Sequence, residues 1–294
     1  MDTLTQEQLA RREKTEMVLS NIYNLPPMPN IMTEVLRIID NKTSNTSELN
    51  KVISKDHGLV TKILTIANSP LYGLQRKVTT IDFAILILGF SELRNIVSTL
   101  SMIESFKNKT DKHLDQKEFW LHSFLIGSAC KRLAEDLDFP NSGEAFVAGF
   151  LHDIGISVMH RYLHTNFVAI CELAETNGKD YLSAELEILG MPHQEIGYML
   201  LERWNFPLAL CDAIKHHHDP AGSQNNQFLT SLINLADYMT QKLNIGAFKW
   251  DNNVTVTPEA LKVLRLTDDE KLDEFIESYK ESFLTQAEAI RYIS

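Results

Sequence analysis

The sequence predicts an all-α fold, a multi-helix bundle, and three observations carry that prediction. Of its 294 residues only 12 are glycine and 9 are proline, few for the turns that an all-β chain needs. Hydrophobic residues make up 44 %, enough for a full core. In segment after segment they recur at three- and four-residue intervals, the period of an amphipathic helix, and each segment ends at a proline, a glycine or a polar run.

Residues 5–23 read as a first helix, charged at its start and apolar toward MVLSNIY. LPPMP at 25–29 stops it, since proline cannot continue a helix. Residues 31–40 resume the helical spacing, with Ile31, Val35, Ile38 and Ile39 on one stripe. A polar loop and a short helix follow, with Ser47 as the expected N-cap. Residues 56–73 (DHGLVTKILTIANSPLYG) form a helix broken near Ser69 and Pro70, and residues 79–106 hold two helices meeting at Gly89. This block has no charged cluster suited to chemistry. Residues 1–110 are therefore expected to form an N-terminal helical subdomain, and 111–294 a second one that carries the site.

The second block opens with QKEFWLHSFLIGSACKRLAEDL, a helix ended by Asp138, Phe139 and Pro140. GEAFVAGFLHDIGISVMHRYL is nearly continuous in apolar residues and reads as one buried helix. YLSAELEILG stops at Gly190-Met191-Pro192, and HQEIGYMLLERWNF and PLALCDAIKHHH follow. Beyond the polar loop DPAGSQNNQ come FLTSLINLADYMTQKL and two closing helical segments, VTVTPEALKVLRL and LTDDEKLDEFIESYKESFLTQAEAI. No tandem repeat stands out.

Charge and cysteines narrow the function. A net charge of -11 argues against binding a phosphate backbone, which asks for a basic face, so no nucleic-acid partner is expected. Cys130, Cys171 and Cys211 are isolated and lack a CxxC spacing, the usage of buried free thiols in a reducing cytoplasm. The N-terminus has no apolar signal segment, and the longest apolar run, FAILILGF at 83–90, is too short to span a bilayer. A soluble cytoplasmic chain without a membrane partner is expected.

The residues that carry chemistry are His and carboxylate types scattered through the second block. Glu118 and His122 are four apart, which puts both on one helix face. His152 and Asp153 are adjacent and would point about 100° apart on a helix. His193 follows a proline at a helix start, His216, His217 and His218 end a helix, and Asp237 sits among apolar residues mid-helix. Five of the ten histidines are ligand candidates if the middle and last of the triple run are used. Asp153 within FLHDIG is the sharpest hint, because burying an ionised carboxylate costs several kcal/mol unless it is paired or metal-bound. Its place in the doublet suits it to bridge two neighbouring ions. Each of these residues alone is more readily a solvated, capping or ion-paired group. Their joint occurrence points to a His/carboxylate metal centre rather than a thiolate one. His57, His113, His160 and His164 have no such support, although His160 and His164 are also four apart.

From about Leu25 to residue 285 the chain resembles the HDOD domain, a signalling-associated relative of the HD phosphohydrolases. The resemblance rests on LPPMP, DHGLVTKILTIANSPLYG, TTIDFAILILGFSELRNIV, AGFLHDIG, PHQEIGYMLLERWNFP and IKHHHDP. It implies an HD-type helical core in which His122, His152, Asp153, His193, His217, His218 and Asp237 match the metal ligands of catalytic relatives. Glu118 matches an extra carboxylate of some HD-GYP-type sites, and Asp153 is the residue on which catalysis would depend. A divalent, dinuclear centre follows, with iron or manganese favoured and zinc compatible. The chain departs from the HD-GYP pattern in carrying Ile156 where those enzymes have a lysine, and in lacking the GYP segment after HHHDP. The resemblance therefore implies a signal-transduction regulatory module with a largely retained metal site, acting on a signalling protein partner or a small phosphorylated ligand. The alternative is a metal-dependent phosphohydrolase acting on a nucleotide or other phosphoester.

Overall fold

Polar caps fix where the helices begin. The computed structural model describes residues 5–21, 30–41, 45–106, 111–251 and 254–290, and no strand occurs among them. Thr5 and Gln8 cap α1 (Gln6–Ser20) reciprocally. The LPPMP segment expected to stop this helix lies outside the described residues. In α2 (Asn30–Asp40), Val35 and Ile38 are buried on the expected stripe. Asn45, not Ser47, starts α3 (Thr46–Ile53): its backbone is extended and its side chain accepts from the Glu48 N–H at 3.0 Å. Ser47 already lies inside the first turn, at the second helical position. Asp56 caps α4 (His57–Ala67), and a 3-10 turn at Pro70–Tyr72 closes on Gly73 in the left-handed region.

Helix α5 (Ile81–Ser105) has 25 residues and a mean hydropathy of 1.4 over its best 18-residue window, long and apolar enough by composition to cross a membrane. The FAILILGF run alone did not suggest this, because the apolar character continues beyond Phe90. The helix nevertheless breaks where expected, at Gly89 (φ 79°, ψ 172°). Ile85, Leu93, Ile96, Val97 and Leu100 are buried, and the helix packs against α2, α3, α4 and a helix of the second block, α7 (Ser142–Leu151).

The rest of the second block comprises α6 (Gln116–Asp136), α8 (Ile154–Tyr162), α9 (His164–Asn177), α10 (Tyr181–Leu189), α11 (His193–Arg203), α12 (Leu208–Lys215), α13 (Gln227–Leu243), α14 (Pro258–Leu264), α15 (Asp269–Ser278) and α16 (Lys280–Ile290). The segment expected as one helix through the HD doublet is two, α7 and α8, because Asp153 (φ -100°, ψ 11°) leaves helical geometry. Helix α9 was not anticipated from the sequence. Of its apolar residues, Phe167, Ile170 and Cys171 are fully buried. Helix α1 is fastened to this block: the Thr15 hydroxyl donates to the Leu189 carbonyl at 2.9 Å, Arg203 donates to the Leu19 carbonyl at 3.0 Å, and Arg12 pairs with Glu195. Helix α16 packs on α6 and on the Pro70–Tyr72 turn. The three cysteines are buried and form no disulfide, as expected.

Two close helix crossings position the site. Gly127 of α6 and Gly149 of α7 let those helices approach until a Cβ on Gly149 would lie 2.9 Å from the Ile126 carbonyl oxygen and 3.0 Å from the Gly127 Cα. Gly155 of α8 lies against α11, where a Cβ would stand 2.8 Å from the His193 carbonyl carbon and 2.9 Å from the Gly197 nitrogen. Only glycine permits such approaches. They bring His122, the HD doublet and His193 to one place.

Candidate metal centre

His122, His152, Asp153, His193, His217 and Asp237 are all essentially buried and meet in the core. Asp153 is at the middle. Its Oδ2 lies 3.3 Å from His152 Nε2 and 3.9 Å from His122 Nε2, and its Oδ1 lies 3.2 Å from His193 Nε2 and 3.6 Å from His217 Nε2. Asp237 Oδ1 is 3.7 Å from His122 Nε2 on the first side. On the second, His218 Nε2 approaches His193 Nε2 at 3.2 Å. The carboxylate thus turns one oxygen to each of two His groups. The ligand atoms of His122, His152 and Asp153, and separately those of His193, His217 and His218, lie within 4.8 Å of one another.

The imidazoles are oriented from behind. His122 Nδ1 donates to the Gly246 carbonyl at 2.8 Å, His152 Nδ1 to Gly149 at 2.7 Å, and His217 Nδ1 to Ile214 at 2.7 Å. A carbonyl oxygen only accepts, so each Nδ1 carries a proton and, in the neutral ring, each Nε2 turns a lone pair toward Asp153. His193 is held differently. Its Nδ1 lies 3.0 Å from the buried Glu185 carboxylate, which also accepts the His193 backbone N–H at 2.7 Å and the Trp250 indole N–H at 2.5 Å. Backing of this kind fixes ring tautomer and orientation in metal sites.

The inward atoms fit a cation. Among the described residues, His152 Nε2, His217 Nε2, both Asp153 oxygens and both Asp237 oxygens are buried without a hydrogen-bond partner. Buried polar atoms are nearly always satisfied, so a convergent group of orphans asks for something between them. Burial pushes the His122 imidazole down to about 4 and that of His218 to about 3, and His217 falls well below its ordinary value for the same reason. These rings are neutral near pH 7, the form that ligates. Burial lifts the Asp237 carboxyl to about 7. Burial works against charge on His193 as well, yet Glu185 and Asp153 carry it up to about 10. Burial also opposes ionisation of Asp153, but His152 and His193 hold it well below the usual carboxylate range. An incoming ion therefore displaces protons as it binds.

Not every expected ligand joins the group. Glu118 is exposed in the first turn of α6, where its negative charge suits the helix N-terminus, and it is not brought to the cluster. Within the triple run, His217 and His218 face the site, whereas His216 turns to Asp212, with Nε2 3.8 Å from its Oδ1. Two supporting residues were missed from the sequence. One is Glu185. The other is Asn234, which donates to the His217 carbonyl at 3.0 Å and accepts from the Thr257 N–H at 3.0 Å. Glu185 lies within an apolar helix, and a carboxylate in that setting was the available signal. His218 also lines a cavity of about 640 Å³ with Lys179, Tyr181, Asn234, Lys249 and Trp250.

Known proteins share this architecture. The HDOD domain profile matches residues 25–220, and the chain belongs to the HDOD family. An uncharacterised protein of Treponema pallidum (strain Nichols) is 23 % identical over 269 residues, covering 90 % of this chain and 51 % of its own. The chain spans about half the length, or less, of the curated relatives it matches (51 % and 38 %). An HDOD domain protein of unknown function from Geobacter sulfurreducens superposes with a TM-score of 0.80 at 23 % identity, covering 97 % of this chain and 99 % of that one. A candidate phosphohydrolase from Shewanella amazonensis SB2B superposes with a TM-score of 0.72 at 23 % identity, covering 93 % and 97 %. At these identities the superpositions establish the helical fold.

Proposed function

We propose that the chain is a signal-transduction regulatory module of the HDOD type that keeps a working His/Asp centre for two divalent ions. One observation carries this reading: a buried, ionised Asp153 carboxylate that turns one oxygen to the ring nitrogens of His122 and His152 and the other to those of His193 and His217. His122, His152 and Asp237 would hold one ion with Asp153 Oδ2, and His193, His217 and His218 the other with Asp153 Oδ1. Mixed imidazole and carboxylate ligation suits iron, manganese or zinc, with iron or manganese favoured for a bridged pair. Such ions, when bound, supply Lewis acidity toward a phosphoryl group.

The alternative reading, a phosphohydrolase acting on a nucleotide or other phosphoester, draws on the cavity beside His218. What this chain places after the doublet and in that cavity favours regulation over turnover. Ile156, where HD-GYP enzymes have a lysine, is fully buried and brings no cation. Lys179 and Lys249, which line the cavity, are already paired with Glu187 and Glu175. The cavity would admit a small phosphorylated ligand through hydrogen bonds more than through net charge. A signalling protein partner would find apolar surface at Leu86 and Ile87 of α5, which are 77 % and 46 % exposed.

Elemental analysis of protein purified without chelator or chelating resin tests the centre. About two equivalents of iron or manganese per chain are expected. Absence of metal after reconstitution would reduce the histidines to a packed remnant. A further expectation concerns Glu185. Glu185→Gln removes the charge behind His193 while keeping its size, and metal affinity should fall about 10- to 100-fold. Titration against a competing chelator measures this, and an unchanged affinity would show that His193 ligates no ion.

A further inference from the structure

A second His/carboxylate group lies outside the HD centre. Asp111, on the connection between α5 and α6, meets His160 at the end of α8 and His164 at the start of α9. Asp111 Oδ2 is 2.9 Å from His160 Nε2 and 3.6 Å from His164 Nε2. These separations bracket the spacing of about 3.3 Å between ligands of a tetrahedral zinc ion, which follows from bonds of about 2.0–2.1 Å. We propose that Asp111, His160 and His164 form a separate three-ligand site for a borderline divalent ion of the zinc type, with the remaining position open to water.

The orientation of the groups supports this reading. Asp111 Oδ1 accepts the N–H groups of His113 at 2.8 Å and Leu114 at 3.0 Å, which fixes the carboxylate and leaves Oδ2 for the imidazoles. His164 Nδ1 donates to the His160 carbonyl at 3.2 Å. Its Nε2 lone pair then faces a carboxylate oxygen, a repulsive arrangement that a shared cation relieves. At His164 this repeats the tautomer logic of the HD centre, whereas His160 hydrogen-bonds Asp111 through Nε2, with Nδ1 buried and unpartnered, and would give up the Nε2 proton on binding an ion. The place is reachable from solvent: the His164 side chain is 53 % exposed, while that of His160 is 5 % exposed. Carboxylate and imidazole ligands suit zinc and its neighbours better than calcium or magnesium. An ion here would pin the connection between the two blocks to the α8–α9 corner.

Equilibrium dialysis of the full chain against micromolar zinc, followed by elemental analysis, tests the site in wild type, His164→Ala and Asp111→Asn. The alanine removes a half-exposed ring with little packing. The asparagine keeps an oxygen to accept from His113 and Leu114 while removing the charge. Each variant is expected to take up one zinc fewer per chain than wild type; in chelator His164→Ala should melt at the wild-type temperature, while Asp111→Asn, which loses the bond to His160, melts somewhat lower. The readout is the difference between proteins, so it stands whether or not the HD centre holds metal. Equal zinc uptake by all three would overturn the proposal and leave an Asp–His ion-pair network.

Discussion

Replacing Asp153 with alanine is expected to empty the HD centre, taking bound metal from about two equivalents per chain to none. Both oxygens of this carboxylate face imidazole nitrogens, on opposite sides. Its loss removes a ligand from each ion and the negative charge they share. The effect on stability should depend on metal. In chelator the variant is expected to melt within a few degrees of wild type. A buried carboxylate is costly to desolvate, and removing one partner of a buried ion pair costs about 3–5 kcal/mol only while the other charge stays buried and unpaired. The charges left behind by the substitution can also be shed, since His152 and His193 are titratable. With metal at about a hundred times its dissociation constant, wild type gains roughly 2.7 kcal/mol per ion, at least about 5 °C for a chain of this size. The variant should gain nothing. Elemental analysis and thermal melts with and without metal measure both arms. A variant that keeps its full metal content, or shows the wild-type shift, would mean that Asp153 bridges no ions.

The order of ligand types along the chain was legible because each has a local reason to be noticed. Asp153 stands in FLHDIG and Asp237 in LINLADYM, charged residues in apolar runs, and burial of both is observed. Apart from α9, helix positions were legible from periodicity, down to the break at Gly89. What failed depends on backbone geometry or long-range contact. The helix through the HD doublet breaks at Asp153 although its apolar run is continuous, since periodicity does not report a change in φ and ψ at one residue. That His216 turns away while His217 and His218 turn inward follows from the end of α12 at Lys215 and from Asp212 one turn back. Glu118 shares a face with His122 by spacing, yet it stays exposed while Gln116, Phe119 and His122 around it are buried. The spacing of His160 and His164 was visible, but their meeting with Asp111, 49 residues before His160, left no trace in local sequence. The same is true of Glu185, which reaches His193 only because α10 and α11 fold back on each other.

Gly155 ties that packing to the chemistry, and Gly155→Ala should show it. A methyl group there would lie 2.8 Å from the His193 carbonyl carbon and 2.9 Å from the Gly197 nitrogen. Both obstacles are backbone and have no rotamer by which to move aside, so α8 and α11 must separate. Overpacking of this kind typically costs about 1–3 kcal/mol, and rigid neighbours place it at the upper end. Alanine's better helix propensity returns only about 1 kcal/mol. Gly197→Ala on the other side of the same crossing is the control. Its new methyl would meet the Ile154 and Ile214 Cγ2 methyls at 3.3 and 3.4 Å, contacts that a shift of a few tenths of an ångström relieves, so its stability should stay within about 1 kcal/mol of wild type. The larger consequence concerns the centre. Asp153 stands two residues before Gly155, and His193 begins α11, so separating the helices draws apart the 3.2 Å approach of His193 Nε2 to Asp153 Oδ1. The folded Gly155→Ala protein is therefore expected to bind metal more weakly as well as to melt lower, while Gly197→Ala retains both properties. Equal melting temperatures and equal metal affinities for the two variants would show that the α8–α11 contact does not hold the two sides of the centre together.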